Sequence, residues 1–380
     1  MENWLMIIGG VLAALYCGLI LIYRYWFIAL KPFQLPTGLN QRLFFSIIIP
    51  ARNESVNIEK CIHSILKQSY PLYEIIVVDD HSTDDTPLLV AQLAQQYPQI
   101  QLIQLKNYVD GQATNSFKKK AIEIAVEKSK GSWIVTTDAD CLVPTNWLQY
   151  FNAMILAKDP VFIAAPVMFT QNGHFSGVFQ VLDFLSLQGI TAAAVSAGSH
   201  SMCNGANLAY SKQAFETVDK YKGIDHLASG DDMLLMHKMK KQFPNRLEYL
   251  FSKDMIVTTL PMPDWTSFIQ QRIRWASKAD SYNDPKIFGV LLLVYLFNLV
   301  LLIGLIVGLF QFEIFVLTCL IIAVKTLIEL YFLLPVARFF HLENTLSYFP
   351  IMQPLHIAYT VIAGWLGKFG KYQWKNRTVR

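Results

Sequence analysis

Two carboxylates stand one residue apart in the stretch TTDADCLVP, residues 136–144. The apolar run before them, Trp133-Ile134-Val135, is typical of a buried strand. If that strand continues, Asp138 and Asp140 point to the same side, because side-chain direction alternates along a strand. Two like charges that close need a proton, a cationic neighbour or a metal ion to compensate them. A strand end closed by an Asx-type turn explains these residues equally well on their own.

Similar polar clusters follow two earlier apolar runs. Residues 45–50 read as a strand followed by Pro50-Ala51-Arg52-Asn53-Glu54, and residues 74–79 as a strand that ends in Asp79-Asp80-His81-Ser82. Ligands of open α/β sheets bind outside the carboxyl ends of the strands. We therefore expect the three polar clusters to meet at one edge of a sheet, which favours a shared site over three unrelated solvated turns.

The elements that would carry these clusters alternate between strand and helix. Strands are predicted at 45–50, 74–79, 100–105 and 132–137, and helices at 56–68, 86–96 and 118–128. This alternation predicts an α/β domain with a mostly parallel sheet.

The sequence contains no phosphate-binding loop of the GxGxxG or GxxxxGK[ST] type. A nucleotide site made of carboxylates must then hold the diphosphate through a divalent cation. Mg²⁺ or Mn²⁺ is expected, because both are hard ions that take oxygen ligands. The sequence contains no cluster of His and Cys residues that would indicate a zinc site.

Apolar segments flank this domain and explain why 53% of the 380 residues are hydrophobic. Residues 4–23, 288–310 and 312–334 are long enough to span a bilayer. In the last of these, Lys325 and Glu329 lie four residues apart and can neutralise each other on one helix face. A weaker stretch, residues 349–366, is interrupted by prolines and is interpreted as re-entrant or interfacial.

Basic residues predict the orientation of the spans. Residues 1–3 carry no positive charge and no cleavage site follows the first span, so a signal anchor with an external N-terminus is expected. Basic residues near 24, 31, 278 and 286, and in the tail, place the domain and tail in the cytosol, as in a protein of the bacterial inner membrane. The net charge of +4 is scattered and gives no indication of nucleic-acid binding.

Five blocks occur in order along the chain: SIIIPARNE, IIVVDDHSTDDT, TTDADCLVP, SGDDMLL and QQRIRW. Together they resemble the signatures of membrane-bound family 2 glycosyltransferases with the GT-A fold, over residues 46–275. The resemblance implies an anchor (1–33), a cytosolic GT-A domain (44–265), an interfacial QxxRW segment (266–286), a transmembrane region (287–366) and a basic tail (367–380).

Applied residue by residue, the resemblance implies a donor site. The nucleotide base and ribose pocket would be lined by Pro50, Glu54, Asp79 and Asp80. Lys118, in a run similar to the family's GK-x-x-A-L segment, would approach the diphosphate, whereas Lys119 and Lys120 are expected to be solvated. Asp138 and Asp140 match the DxD motif and would hold the cation on the diphosphate.

The resemblance also implies an acceptor side. Gln271, Arg274 and Trp275 match QxxRW and share one helix face near the diphosphate and the acceptor channel. Residues 203–207, which include Gly205, resemble the loop that shapes the acceptor pocket, although an ordinary turn is an equal alternative. The usual Glu-Asp pair is replaced by Asp231-Asp232, so Asp232 takes the position of the catalytic base and Asp231 is the alternative.

The resemblance implies an inverting hexosyl- or N-acetylhexosaminyl-type transferase that uses a nucleotide sugar, with UDP expected. The acceptor would be a hydroxyl of a lipid or glycan at the membrane. Two or three spans after the domain favour a single transfer over a processive polysaccharide synthase coupled to export. A transporter or scaffold with a degenerate domain is disfavoured because the motifs are intact. A nucleotidyltransferase is disfavoured because it would need a Gly/Arg/Lys-rich loop after its first strand, where this sequence has PARNE.

Overall fold

The computed structural model describes residues 2–38, 41–109, 116–171, 173–278, 284–370, 372–374 and 377–379. Its strands are β1 (Phe45–Ala51), β2 (Tyr73–Asp79), β3 (Ile100–Gln104), β4 (Trp133–Thr136), β5 (Phe162–Ala164), β6 (Val167–Phe169), β7 (Leu208–Ser211), β8 (Leu247–Tyr249), β9 (Val257–Thr259), β10 (Tyr372–Trp374) and β11 (Arg377–Val379). Its α-helices are α1 (Glu2–Ile28), α2 (Ile58–Leu66), α3 (Thr86–Gln96), α4 (Phe117–Lys128), α5 (Trp147–Lys158), α6 (Phe175–Ser196), α7 (Lys212–Thr217), α8 (Met233–Gln242), α9 (Trp265–Ala276), α10 (Pro285–Gly308), α11 (Phe312–Phe340) and α12 (Phe349–Phe369).

A seven-stranded sheet in the order β3-β2-β1-β4-β7-β5-β8 forms the centre of the domain. Strands β3, β2, β1 and β4 are parallel, β7 runs antiparallel to both β4 and β5, and β8 is parallel to β5. The centres of β1, β2 and β4 are completely buried, because helices cover both faces of a parallel sheet. The predicted α/β architecture is confirmed, and the four predicted strands and three predicted helices correspond to β1–β4 and α2–α4.

Four described helices are long and apolar enough to cross a membrane: Ile7–Ile28, Phe175–Ser196, Pro285–Gly308 and Phe312–Phe340. Three of them coincide with the predicted spans in α1, α10 and α11. The fourth is α6, which was not anticipated as a long apolar helix. It differs from the others in burial, since 78% of its most apolar window lies inside the protein, against 22–28% for the other three.

Helix α6 joins the α/β domain to the membrane helices by packing against α1 and α11. Its Gly189 meets Val336 and Phe332 of α11 so closely that a Cβ there would lie 2.7 Å from a Val336 methyl group. A larger residue at 189 would push the two helices apart. The domain and the membrane helices therefore share one packed interface.

A buried polar group ties the membrane helices together. Lys325 Nζ lies 2.7 Å from Glu329 Oε1, which confirms the predicted pairing. Gln353 of α12 donates to Glu329 at 2.6 Å and accepts from Lys325 at 2.8 Å, and the hydroxyl of Tyr16 in α1 donates to Glu329. Every one of these charged or polar groups has a partner, as an apolar environment requires.

Residues 349–369 form one continuous helix, so the expectation that prolines break this stretch is wrong. Pro350 lies in the first turn of α12, where backbone N–H groups have no partner within the helix. Pro354 lies inside the helix and removes one backbone hydrogen bond, a loss that the 21-residue helix tolerates. Helix α12 packs along α9 and α10.

Candidate active site

The DxD residues lie in a turn and not in a strand. Strand β4 ends at Thr136, and the N–H of Cys141 donates to the carbonyl of Asp138 at 3.1 Å. Leu142 then pairs with Thr258 through two backbone hydrogen bonds of 2.8 and 3.0 Å, which fixes the exit of the turn. Because Asp138 and Asp140 lie outside a strand, the alternation of side-chain direction along strands does not set their orientation. Both nevertheless line the same cavity.

Lys118 is the cationic neighbour that compensates the carboxylates in this structure. Its Nζ lies 2.9 Å from Asp138 Oδ1 and 3.2 Å from Asp231 Oδ2. Burial by itself lowers the pKa of Lys118, but the charges of Asp138 and Asp231 outweigh burial and raise it. This ammonium is charged at neutral pH and links the DxD turn to the second pair of acidic residues.

Asp231 and Asp232 follow Gly230, which has a φ of 83° and no room for a side chain because a Cβ would lie 2.8 Å from Leu234. Only glycine adopts this conformation without strain. Burial raises the pKa of Asp231, and the nearby Lys118, Lys278 and Lys119 lower it to a net value below the usual range. Asp231 therefore remains ionised and faces the donor side through Lys118.

Asp232 has a different environment from its neighbour. It is the N-cap of α8, where Oδ1 accepts from the N–H of Met233 at 2.7 Å. Its Oδ2 accepts from the N–H of Gly205 at 3.0 Å, so the loop at 203–207 lies directly against this carboxylate. The carboxylate is thus held in one orientation at the cavity wall, and it keeps further lone pairs for another donor.

Lys119 is buried, which corrects the expectation that it is solvated. Its Nζ donates to the carbonyls of Ile224, Leu227 and Ser229 at 2.8, 2.5 and 2.9 Å. These carbonyls belong to the segment that leads into Gly230 and Asp231. Lys119 therefore shapes the approach to the acidic pair, whereas its neighbour Lys120 is exposed and pairs with Glu123 at 3.7 Å.

Near the ends of β1 and β2, Pro50, Glu54 and Asp80 line the cavity together with Arg52, a residue that the sequence did not single out. Arg52 Nη1 donates to the carbonyl of Asp80 at 2.7 Å, which joins the end of β1 to the end of β2. Asp79 does not line the cavity: it is buried, and its Oδ1 accepts from the N–H of Ser82 at 3.3 Å. Its role is to hold the turn after β2.

Helix α9 carries the QxxRW residues along the cavity. Asp264 caps the helix by accepting from the N–H of Ser267 at 2.8 Å, which fixes where the helix begins. Gln271, Arg274 and Trp275 all line the cavity, as their predicted common face requires. Arg272, at one of the unspecified positions of the motif, is buried and contacts its neighbours on α9.

One cavity of about 880 Å³ connects these groups with the membrane helices. At one end are the sheet-edge and acidic residues Pro50, Arg52, Glu54, Asp80, Lys118, Asp138, Asp140, Gly205, Asp231 and Asp232. At the other end are apolar side chains of α1, α6, α10, α11 and α12, among them Leu19, Ile20, Leu187, Leu291, Val294, Phe332 and Met352. A polar reacting end and an apolar end therefore share one space.

Besides Arg52, three functional candidates were missed by reasoning from the sequence. Arg272 was hidden at a variable motif position, and Lys119 inside a run of three lysines that looks solvated. Asp183 lines the cavity as the single charge of the apolar helix α6. A lone charge in such a helix is a recognisable signal for function or pairing, and it could have been found.

The chemistry that this arrangement permits is charge compensation by Lys118 and proton acceptance by a carboxylate, both at the polar end of the cavity. Among the described residues there is no group of three or more His, Cys, Asp or Glu side chains that could hold a metal ion. Carboxylates that follow the strands of a mostly parallel sheet lie where open α/β domains bind their ligands.

The chain belongs to glycosyltransferase family 2. The family model described as "Glycosyl transferase family group 2" matches residues 133–360, and "Glycosyl transferase family 2" matches residues 46–219. The fold is similar to that of the mannosyltransferase PcManGT from Pyrobaculum calidifontis in complex with GDP-Man and Mn²⁺, with a TM-score of 0.56 and 18% identity over 93% of this chain and 99% of that one.

Two relatives are similar to parts of this chain. Glycosyltransferase AglE of Haloferax volcanii is 25% identical over 56% of this chain and 66% of its own length. The beta-monoglucosyldiacylglycerol synthase of Synechocystis sp. is 31% identical over 27% of this chain and 21% of its own length. The chain thus covers less than two thirds of each relative.

Proposed function

We propose that this enzyme transfers a sugar, with inversion, from a nucleotide-diphosphate sugar onto a hydroxyl of a lipid or membrane-associated acceptor. The observation that carries the proposal is the single cavity that reaches from Asp138 and Asp232 into the apolar space between the membrane helices. A water-soluble donor fits the sheet-edge end, and a lipid fits the other. UDP is the nucleotide that the motifs lead us to expect.

On the donor side, Asp138 and Asp140 are the residues that would hold Mg²⁺ or Mn²⁺. Their carboxylate oxygens suit a hard cation of this kind. When bound there, the ion would supply electrostatic stabilisation of the negative charge that develops on the departing nucleotide. The fold neighbour with GDP-Man and Mn²⁺ supports this assignment.

The chain's own residues supply the remaining chemistry. Lys118 lies 2.9 Å from Asp138 Oδ1, and in this proposal it adds positive charge at the leaving group. Asp232 accepts the proton of the acceptor hydroxyl as that oxygen attacks the anomeric carbon from the face opposite the leaving group. Direct displacement inverts the anomeric configuration and requires no carboxylate nucleophile.

A lipid is the acceptor that the apolar end of the cavity favours. The relative whose name specifies a glucosyldiacylglycerol supports a lipid hydroxyl as acceptor. A single transfer is proposed, because α10, α11 and α12 are few helices for a polysaccharide channel. A processive synthase coupled to export is the second candidate.

The proposal is tested by a screen of the purified full-length chain. UDP-glucose, UDP-N-acetylglucosamine and GDP-mannose are offered with diacylglycerol or a total lipid extract, with Mg²⁺, Mn²⁺ or EDTA. We expect a radiolabelled glycolipid that requires the cation and is lost in Asp138→Asn and Asp140→Asn. Full turnover of all three proteins in EDTA would contradict the metal assignment, and a labelled polymer would favour the second candidate.

A further inference from the structure

A buried ion pair joins α6 to α9 at the wall of the cavity. Arg272 Nη2 lies 2.6 Å from Asp183 Oδ2, and Arg272 Nε donates to the same oxygen at 2.8 Å. Both side chains are about 95% buried. A pair of charges at this depth is stable only with good geometry and further hydrogen bonds.

Those further contacts go to residues of the QxxRW motif. Arg272 Nη1 donates to Gln271 Oε1 at 2.5 Å. The guanidinium carbon lies 4.2 Å from the ring centroid of Trp275 and 4.5 Å from that of Phe268, within the range of a cation–π contact. One side chain therefore touches both Gln271 and Trp275, which line the cavity.

The carboxylate of Asp183 also reaches α12. The hydroxyl of Tyr359 donates to Asp183 Oδ1, and His356 Nε2 lies 3.9 Å from the same oxygen. Three helices thus meet at one carboxylate: α6 from the catalytic domain, α9 with the motif, and α12 from the C-terminal hydrophobic region.

We propose that Asp183 and Arg272 are positioning residues: Asp183 orients Arg272, and Arg272 fixes Gln271 and Trp275 for transfer. A planar guanidinium is suited to this role because it donates along its edge while it stacks through its face. The inference rests on the proposed function in placing Gln271 and Trp275 beside the donor diphosphate and the acceptor. It goes further by linking their orientation to α12.

The first test is Arg272→Lys in the purified full-length chain. Lysine keeps the charge beside Asp183 but cannot also hold Gln271 and stack on Trp275. We expect kcat to fall about 10- to 100-fold with little change in the melting temperature. The matched control is Arg246→Lys, the same change at an ion pair with Asp159 outside the cavity, which should leave kcat unchanged.

A double-mutant cycle separates positioning from general stability. Gln271→Ala, Arg272→Lys and the double variant are compared in kcat/KM with whichever of UDP-glucose, UDP-N-acetylglucosamine or GDP-mannose wild type uses. If Arg272 acts through Gln271, the double variant loses less than the product of the two single losses. Asp183→Asn should match Arg272→Lys, and Asp183→Glu should recover part of the activity.

Two outcomes overturn the inference. Independent, multiplicative losses in the cycle would show that Arg272 does not act through Gln271. Full activity of Arg272→Lys would show that its contacts are dispensable. Failure of the proposed function is recognised separately, because wild type itself would then neither bind UDP or GDP with Mn²⁺ nor transfer sugar from any of the three donors.

Discussion

At the scale of single residues, the two adjacent aspartates have different surroundings. Asp231 pairs with Lys118 on the donor side, whereas Asp232 is fixed by the N–H of Gly205 and by the start of α8. The sequence offered both as candidates for the base, and neither spacing nor composition could separate them. The structure gives a physical reason to test them against each other.

We predict that Asp232→Asn lowers kcat by about 10²–10⁴-fold, the range typical of general-base catalysis, while nucleotide binding stays near normal. The base contacts the acceptor hydroxyl and not the diphosphate, so donor affinity should not report its loss. Asp231→Asn should instead weaken nucleotide binding, because Lys118 loses one of its two carboxylates.

The measurements are calorimetric titration with UDP and Mn²⁺, and steady-state turnover. The wild-type chain is the reference for both. If the two variants exchange phenotypes, Asp231 is the base. If both lose nucleotide binding, the acidic pair belongs to the donor site and the base lies elsewhere.

At the scale of elements, helix α4 supports the segment that carries the acidic pair. Removal of the Lys119 ammonium takes a donor from three backbone carbonyls, of which that of Ile224 still accepts from the N–H of Leu227 at 3.3 Å. Each unsatisfied buried group costs about 1–3 kcal/mol, partly relieved if water enters. We predict that Lys119→Met lowers both the melting temperature and turnover, measured by thermal scanning and sugar transfer.

Lys120→Met is the matched control for this prediction, since the same change one position later removes an exposed ammonium that pairs with Glu123 at 3.7 Å. Pairs of that kind contribute about 0–1 kcal/mol. Equal effects of the two substitutions would contradict the role assigned to Lys119.

The elements that the sequence predicted correctly are those with a clear hydrophobic period. Strands β1–β4 and helices α2–α4 alternate in composition, and the polar clusters after β1, β2 and β4 do reach one cavity. Lys119 and Asp183 were missed because their partners lie far away in sequence, at 224–229 and at 272. Asp79 was wrongly predicted to line the site. Its carboxylate instead accepts a hydrogen bond from the N–H of Ser82 in the turn after β2, a contact that the sequence does not reveal.

At the scale of the whole molecule, the basic residues that flank the apolar helices predict how the chain is oriented in the membrane. We predict that single cysteines introduced near Lys278 and in the tail near residue 375 react only with reagents that reach the cytosol, and that one near residue 3 reacts from outside. The tail lies outside the residues whose side chains the structure describes. Helix α12 is about 31 Å long at 1.5 Å per residue, enough to span the hydrocarbon core.

Labelling of the tail from outside would therefore mean that α12 crosses the bilayer and that the expected interfacial placement is wrong. A chain in which the native cysteines are replaced by serine and no new cysteine is added controls for background labelling.

Helix α6 has a consequence for the synthesis of the chain on the ribosome. It is apolar enough for the insertion machinery to treat as a span, and it emerges before α11, the helix against which Gly189 packs. A carboxylate near the centre of a helix costs roughly 2.5–3.5 kcal/mol on insertion scales. We expect Asp183 to help retain α6 on the cytosolic side until its partner helices have been made, so that replacing it with leucine would send a fraction of chains into the bilayer in the wrong topology.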